Sequence, residues 1–118
     1  MEEILLDIKA EYKRGILFVR LYGILNSKTS IYLKDKIREI VFKGGIKYML
    51  INCEKLFSID SNGIDAINDS CKEIIDSGGK VFVCGFSEGI RLNIGNSKLK
   101  KNILKTTNEL SVFNIVKI

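Results

Sequence analysis

The sequence predicts a small α/β fold, a mostly parallel central sheet of about four to five strands with helices packed on it. Apolar runs with strand character alternate with segments whose apolar residues recur at helical spacing. Proline is absent, and glycines such as Gly15, Gly23, Gly44-Gly45 and Gly78-Gly79 stand at the junctions. A chain of 118 residues has little room for a second core, so residues 1–118 are expected to form one domain.

The elements follow in order. Residues 4–12 alternate loosely and read as a first strand. Ile16-Leu17-Phe18-Val19-Arg20-Leu21-Tyr22 is an almost continuous apolar run, the pattern of a strand buried on both faces. Asn26-Ser27-Lys28-Thr29-Ser30 is rich in helix-capping residues, and Leu33, Ile37, Ile40 and Val41 then recur on one helical face. Gly44-Gly45 closes that helix, because glycine accepts the left-handed conformation common at helix ends.

Tyr48-Met49-Leu50-Ile51-Asn52-Cys53 is a second buried strand, followed by an expected loop through Phe57. A helix starts at Ser61, with Ile64, Ile67, Cys71, Ile74 and Ile75 as its apolar stripe and Ser77-Gly78-Gly79 as its stop. Val81-Phe82-Val83-Cys84 is the next strand. Residues 88–94 read as a short helix and 102–105 as a last strand. Thr106 to Phe113 read as a terminal helix with Thr106 or Thr107 at its cap. The predicted order is thus β-β-α-β-α-β-(α)-β-α, with right-handed crossovers joining the parallel strands.

Composition removes several functions. The chain has no histidine, and with it go the commonest general base and metal ligand, most hydrolase triads and most zinc sites. Cys53, Cys71 and Cys84 lie in apolar stretches without Cys-x-x-Cys spacing, which reads as small buried hydrophobes in a reducing compartment. Gly85-Phe86-Ser87-Glu88-Gly89 echoes the Gly-x-Ser-x-Gly turn, but the triad needs a base the chain lacks. Neither a phosphate-binding Gly-Lys-Ser/Thr loop nor a dinucleotide fingerprint is present. No enzymatic activity, cofactor or metal is expected.

The net charge of +5 raises the question of nucleic acid. The basic residues are spread along the chain, however, with only Lys98, Lys100, Lys101 and Lys105 forming a local group. No DNA- or RNA-reading motif accompanies them, so direct nucleic-acid binding is not expected. No apolar run is long enough to span a bilayer, and Met1-Glu2-Glu3 does not open a secretory signal. A cytoplasmic protein is expected.

The candidate site is Phe57-Ser58-Ile59-Asp60-Ser61-Asn62-Gly63-Ile64-Asp65-Ala66-Ile67, after the carboxyl end of a predicted strand and at the start of a helix. Open α/β sheets place ligands at such ends, and helix N-termini favour anionic groups. Asp60 or Ser61 equally suits a plain N-cap, so spacing alone leaves both readings open. Glu54, Asp60 and Asp65 lie close in sequence to this segment, suggesting that a partner would present arginine or lysine.

The order of elements and the run Asp60-Ser61-Asn62-Gly63-Ile64 resemble the STAS domain, the fold of bacterial anti-anti-sigma factors. Gly23 with Leu25 ahead of a Ser/Thr-rich helix start, Gly78-Gly79 ahead of Val81-Phe82-Val83, and Thr107-Asn108-Glu109-Leu110 are similar to further parts of that family. The resemblance is carried by the combination in order. It implies an anti-sigma factor antagonist that binds an anti-sigma factor serine kinase through residues 57–67. Ser58, Asp60, Ser61, Asn62, Gly63 and Asp65 are the implied partner-binding residues.

In that family the segment is usually Asp-Ser-Ser-Gly, and phosphorylation of the second serine by the kinase breaks the complex. Asn62 occupies the position of that serine, and Asp65 stands where a glycine is often found. Asparagine has no hydroxyl to modify, and it is a poor mimic of a phosphate carrying about −1.5 to −2 charges. Three alternatives follow: an antagonist that binds constitutively; a switch displaced to Ser61 or Ser58; or a domain that docks on a transporter ATPase or a larger signalling assembly. Oligomeric state stays open, with a homodimer through the exposed face of the first strand as one option.

Overall fold

The computed structural model describes residues 5–87 and 99–116. Strands β1 (Leu6–Lys13) and β2 (Ile16–Leu25) form an antiparallel hairpin. Arg14 and Gly15 join them at φ 52° and 81°, the left-handed pair whose twist matches a two-residue hairpin. Helix α1 (Ser30–Gly44) crosses to β3 (Tyr48–Ile59), and α2 (Ser61–Asp76) crosses to β4 (Lys80–Cys84). Strand β5 (Ile103–Lys105) and helix α3 (Glu109–Val116) complete the described chain.

The strands lie side by side in sequence order, β1-β2-β3-β4-β5, with every pair parallel except β1–β2. Successive steps in one direction with crossovers of one hand put both crossover helices on one face. Alternation along the strands then builds two cores. Leu17, Val19, Met49, Ile51, Val81 and Val83 pack with Leu33 and Ile37 of α1 and Ile64, Ile67, Cys71 and Ile74 of α2. Ile16, Phe18, Leu50 and Phe82 face the other way and pack with Val112 and Phe113 of α3. Burial of each large apolar side chain contributes roughly 1.5–3 kcal/mol.

The predicted α/β architecture with its mostly parallel sheet is what the structure shows, and Gly45 closes α1 in the left-handed conformation at φ 57°. All three cysteines are free and buried. Burial pushes their thiols up, Cys71 to about 12 and Cys84 to about 11.

Several boundaries differ from expectation, and β2 runs past Tyr22 to Leu25. The stretch through Phe57 is strand, since β3 continues to Ile59. The terminal helix starts at Glu109 and is capped by Asn108, whose Oδ1 accepts the Ser111 N–H at 2.9 Å. Thr106 instead prolongs the β5 ladder by donating its N–H to Val83 O at 2.9 Å. The helix expected at 88–94 and Lys98 of the lysine group lie outside the described residues.

Candidate functional site

Asp60 alone joins the end of β3 to the start of α2. It is extended, at φ −113°, and its Oδ1 accepts the Gly63 N–H at 2.9 Å. Its carbonyl accepts the Ile64 N–H at 3.0 Å, and its own N–H donates to Leu25 O at 3.2 Å. Asp60 is therefore an N-cap that also ties α2 to the end of β2.

Gly63 is buried in the first turn, where a Cβ would stand 2.6 Å from Leu25 O and 2.8 Å from Ile59 Cγ1. Only glycine allows the helix to approach the strands this closely. The motif residues Asp60 and Gly63 thus set the shape of the site, while Ser61, Asn62 and Asp65 are exposed on it and Ser58 is half-buried.

A second helix start adjoins the first. Asn26 Oδ1 accepts the N–H groups of Lys28 and Thr29 at 2.9 and 3.2 Å, and Thr29 Oγ1 donates to Ile24 O at 2.8 Å. The capping-rich run after β2 is a hydrogen-bonded turn, and it delivers Ser30 to the first turn of α1. Ser30 Oγ donates to Asn26 O and, at 3.2 Å, to Asn62 O. The two helix starts therefore form one surface at the carboxyl ends of β2 and β3.

Phe57 opens the candidate segment read from the sequence but is not among its partner-binding residues, and Ile31 lies outside that segment; both are prominently exposed near the helix starts. Phe57 is 83% exposed and Ile31 62% exposed. The strand register explains Phe57. Gly23 pairs with Leu56 and Ile24 with Ser58, so Phe57 is an extra residue with no partner on β2. An earlier shift, from Arg20–Asn52 to Tyr22–Lys55, has already inserted one residue into β3. Each bulge reverses which residues point inward, and such bulges often re-aim side chains beside functional sites. An alternation carried on from Met49, Ile51 and Cys53 would turn Phe57 toward the core. The bulges turn it out.

Glu54 does not join Asp60 and Asp65. It lies up β3, roughly 3.3 Å per residue from the site, and lines a separate groove of about 420 Å³ on the α3 side of the sheet. In that groove Arg20 Nε and Nη2 each donate to Glu109 at 2.8 Å, and Asn52 Nδ2 donates to Glu109 Oε2 at 2.9 Å. Arg20 Nη1 also reaches Glu11 at 3.0 Å. These hydrogen bonds hold the Glu109 carboxyl below the usual carboxylate range. The Arg20 and Glu109 charges are committed to each other, and they pin α3 to the sheet.

Among the described residues no cluster of acidic or cysteine side chains has the makings of a metal site. Ser87 is exposed beyond β4, and Glu88 and Gly89 of its Gly-x-Ser-x-Gly echo lie outside the described residues. No described helix is long and apolar enough to cross a membrane.

Comparison with known proteins places this geometry in context. The STAS domain family model matches residues 7–113. An anti-sigma F factor antagonist of Paenibacillus polymyxa is 28% identical over 106 residues, covering 90% of this chain and 91% of that protein. The structure of the anti-sigma factor antagonist SpoIIAA in its unphosphorylated form superposes with TM-score 0.77 and 22% identity, covering 95% of this chain and 98% of that one. An anti-sigma factor antagonist from Mycobacterium paratuberculosis gives TM-score 0.81 at 16% identity, covering 96% and 95%.

Proposed function

Because the chain belongs to the STAS domain family, we propose that it is an anti-sigma factor antagonist that binds its anti-sigma factor through the joined helix starts. The observation that carries this reading is the exposure of Phe57, Ser61, Asn62 and Asp65 on either side of a backbone junction fixed by Asp60 and Gly63. An outward aromatic beside polar groups is the composition of an interface anchor with its rim. The relative in Paenibacillus polymyxa, named an anti-sigma F factor antagonist, supports the same reading.

The partner in this reading is a kinase-type anti-sigma factor. Asn62 occupies the family serine position and is exposed in the first turn of α2. Its amide is neutral and both donates and accepts hydrogen bonds, as an unmodified serine does, but it lacks the hydroxyl that accepts phosphate. The complex is therefore constitutive at this position, and Ser61, also exposed, is the alternative acceptor.

The test is affinity capture from the source cells with the tagged chain, followed by titration of the retained protein against wild type and Phe57→Ala. Capture of a serine-kinase anti-sigma factor, with affinity about tenfold or more weaker for Phe57→Ala, is the expected result. Retention of a transporter ATPase or signalling assembly without such a kinase would move the domain to that second role.

A further inference from the structure

Strand β1 forms one edge of the sheet and pairs only with β2 among the described residues. Its register fixes which backbone groups remain free. Lys13 pairs with Ile16 across the two-residue turn, and the Ile24 N–H donates to Leu5 O at 2.7 Å. Odd-numbered residues of β1 therefore turn their N–H and C=O groups toward β2, while Leu6, Ile8, Ala10 and Tyr12 turn theirs outward.

The side chains carry a second pattern. Asp7, Lys9, Glu11 and Lys13 are all exposed on one face, alternating in sign. An identical strand adding antiparallel about a twofold axis must match outward-facing residues with one another. With the axis at Ala10, Asp7 stands opposite Lys13 of the second copy and Lys9 opposite Glu11. These are the non-hydrogen-bonded positions, where side chains approach most closely.

Other registers fit worse. An axis at Lys9 opposes Lys9 to itself and Asp7 to Glu11, and an axis at Glu11 opposes Glu11 to itself and Lys9 to Lys13. An axis at Ile8 or Tyr12 keeps one kind of opposite-charge pair and shortens the overlap. On the reverse face, the Ala10 register sets Tyr12, 60% exposed, beside Ile8 of the second copy.

We propose that β1 is a self-complementary edge through which two copies of this chain join into one continuous sheet, with Ala10 opposite Ala10. The contact is isologous, so each charge pair occurs twice and the assembly closes as a dimer. The charges on this edge disfavour slipped pairing and other chains, as edge charges commonly do, and favour this register over the others.

Sedimentation of the 13.3 kDa chain at low salt tests the proposal. A reversible monomer–dimer equilibrium is expected between micromolar and millimolar concentrations. Asp7→Lys and Lys13→Asp should each weaken the dimer about tenfold or more, and the two together should restore it to within about threefold. Register is tested by oxidation. An Ala10→Cys pair would have its Cα atoms about 5.5 Å apart, within disulfide reach, whereas a Tyr12→Cys pair would be about 13 Å apart. The native cysteines are buried and do not compete.

Dimer on a non-reducing gel for Ala10→Cys, with little for Tyr12→Cys, supports the register. A wild-type chain that sediments as a monomer throughout, a double reversal no tighter than the single ones, or equal cross-linking by both cysteines overturns the proposal.

Discussion

A Cβ on Gly63 would meet the carbonyl oxygen of Leu25 at 2.6 Å, so the first turn of α2 rests directly on the last residue of β2. The nearest obstacle is backbone, which cannot swing aside as a flexible side chain does. Gly63→Ala gains helix propensity of about 1 kcal/mol but overpacks a tight contact, at roughly 1–3 kcal/mol or more. The clash should win. A net loss of about 1–2 kcal/mol is expected in urea denaturation, with weaker partner binding as the helix start moves away. A Gly63→Ala protein as stable as wild type would mean that α2 does not need this approach.

Asp60 allows shape to be separated from charge. Asp60→Ala removes the acceptor for the Gly63 N–H and should cost about 0.5–2 kcal/mol. Asp60→Asn keeps a good N-cap and should stay within a few tenths of a kcal/mol of wild type. If the carboxylate also attracts a basic partner, Asp60→Asn should weaken binding, mainly through a slower and less salt-sensitive association rate. Equal association rates for the two proteins at low salt would assign Asp60 to the scaffold alone.

The Arg20–Glu109 pair makes stability depend on acid. Two hydrogen bonds from Arg20 and one from Asn52 favour the ionised carboxylate. The folded-state pKa of Glu109 therefore lies below its unfolded value. The resulting stability is fully present above the unfolded pKa of about 4.3 and is lost as pH falls through the folded one. Glu109→Gln should destabilise by on the order of 1–2 kcal/mol at pH 7, moderated by solvent because the Arg20 and Glu109 side chains are 30% and 24% exposed. Denaturation midpoints measured from pH 7 down to 3 should converge for wild type and variant. A constant gap would place the effect in packing rather than charge.

The parts of the fold written in sequence are those where one periodicity runs unbroken. Ile64, Ile67, Cys71 and Ile74 mark the buried stripe of α2, and all four are in the core. The far half of β3 was illegible for a physical reason. Two inserted residues reverse its alternation, so Lys55 and Phe57 do not follow the inward series of Met49, Ile51 and Cys53. Local chemistry was equally ambiguous at α3, where Thr106, Thr107 and Asn108 are all plausible caps. The ladder bond from Thr106 to Val83 leaves the cap to Asn108. At the site, the motif run was visible, but no local signal distinguished the shape-setting Asp60 and Gly63 from the presented Ser61 and Asn62. That division depends on Leu25, far away in sequence and adjacent in space.

Position 62 gives the sharpest test of partner class. Asn62 is exposed, and its carbonyl accepts from Ser30, so a small side chain can replace it without disturbing that bond. Asn62→Ser restores a hydroxyl in the first turn of α2 and should become a substrate of a kinase-type partner with ATP, gaining one phosphate that phosphopeptide mass spectrometry assigns to residue 62. Wild type should remain unmodified there. The new phosphate adds about −1.5 to −2 charges beside Asp60 and Asp65, so the modified variant should release the partner. Asn62→Asp should weaken binding about tenfold, roughly 1.4 kcal/mol, if the partner surface is matched to a neutral side chain. An Asn62→Ser protein that binds its partner at near-stoichiometric levels yet takes no phosphate would rule out the kinase class while leaving the binding surface in place.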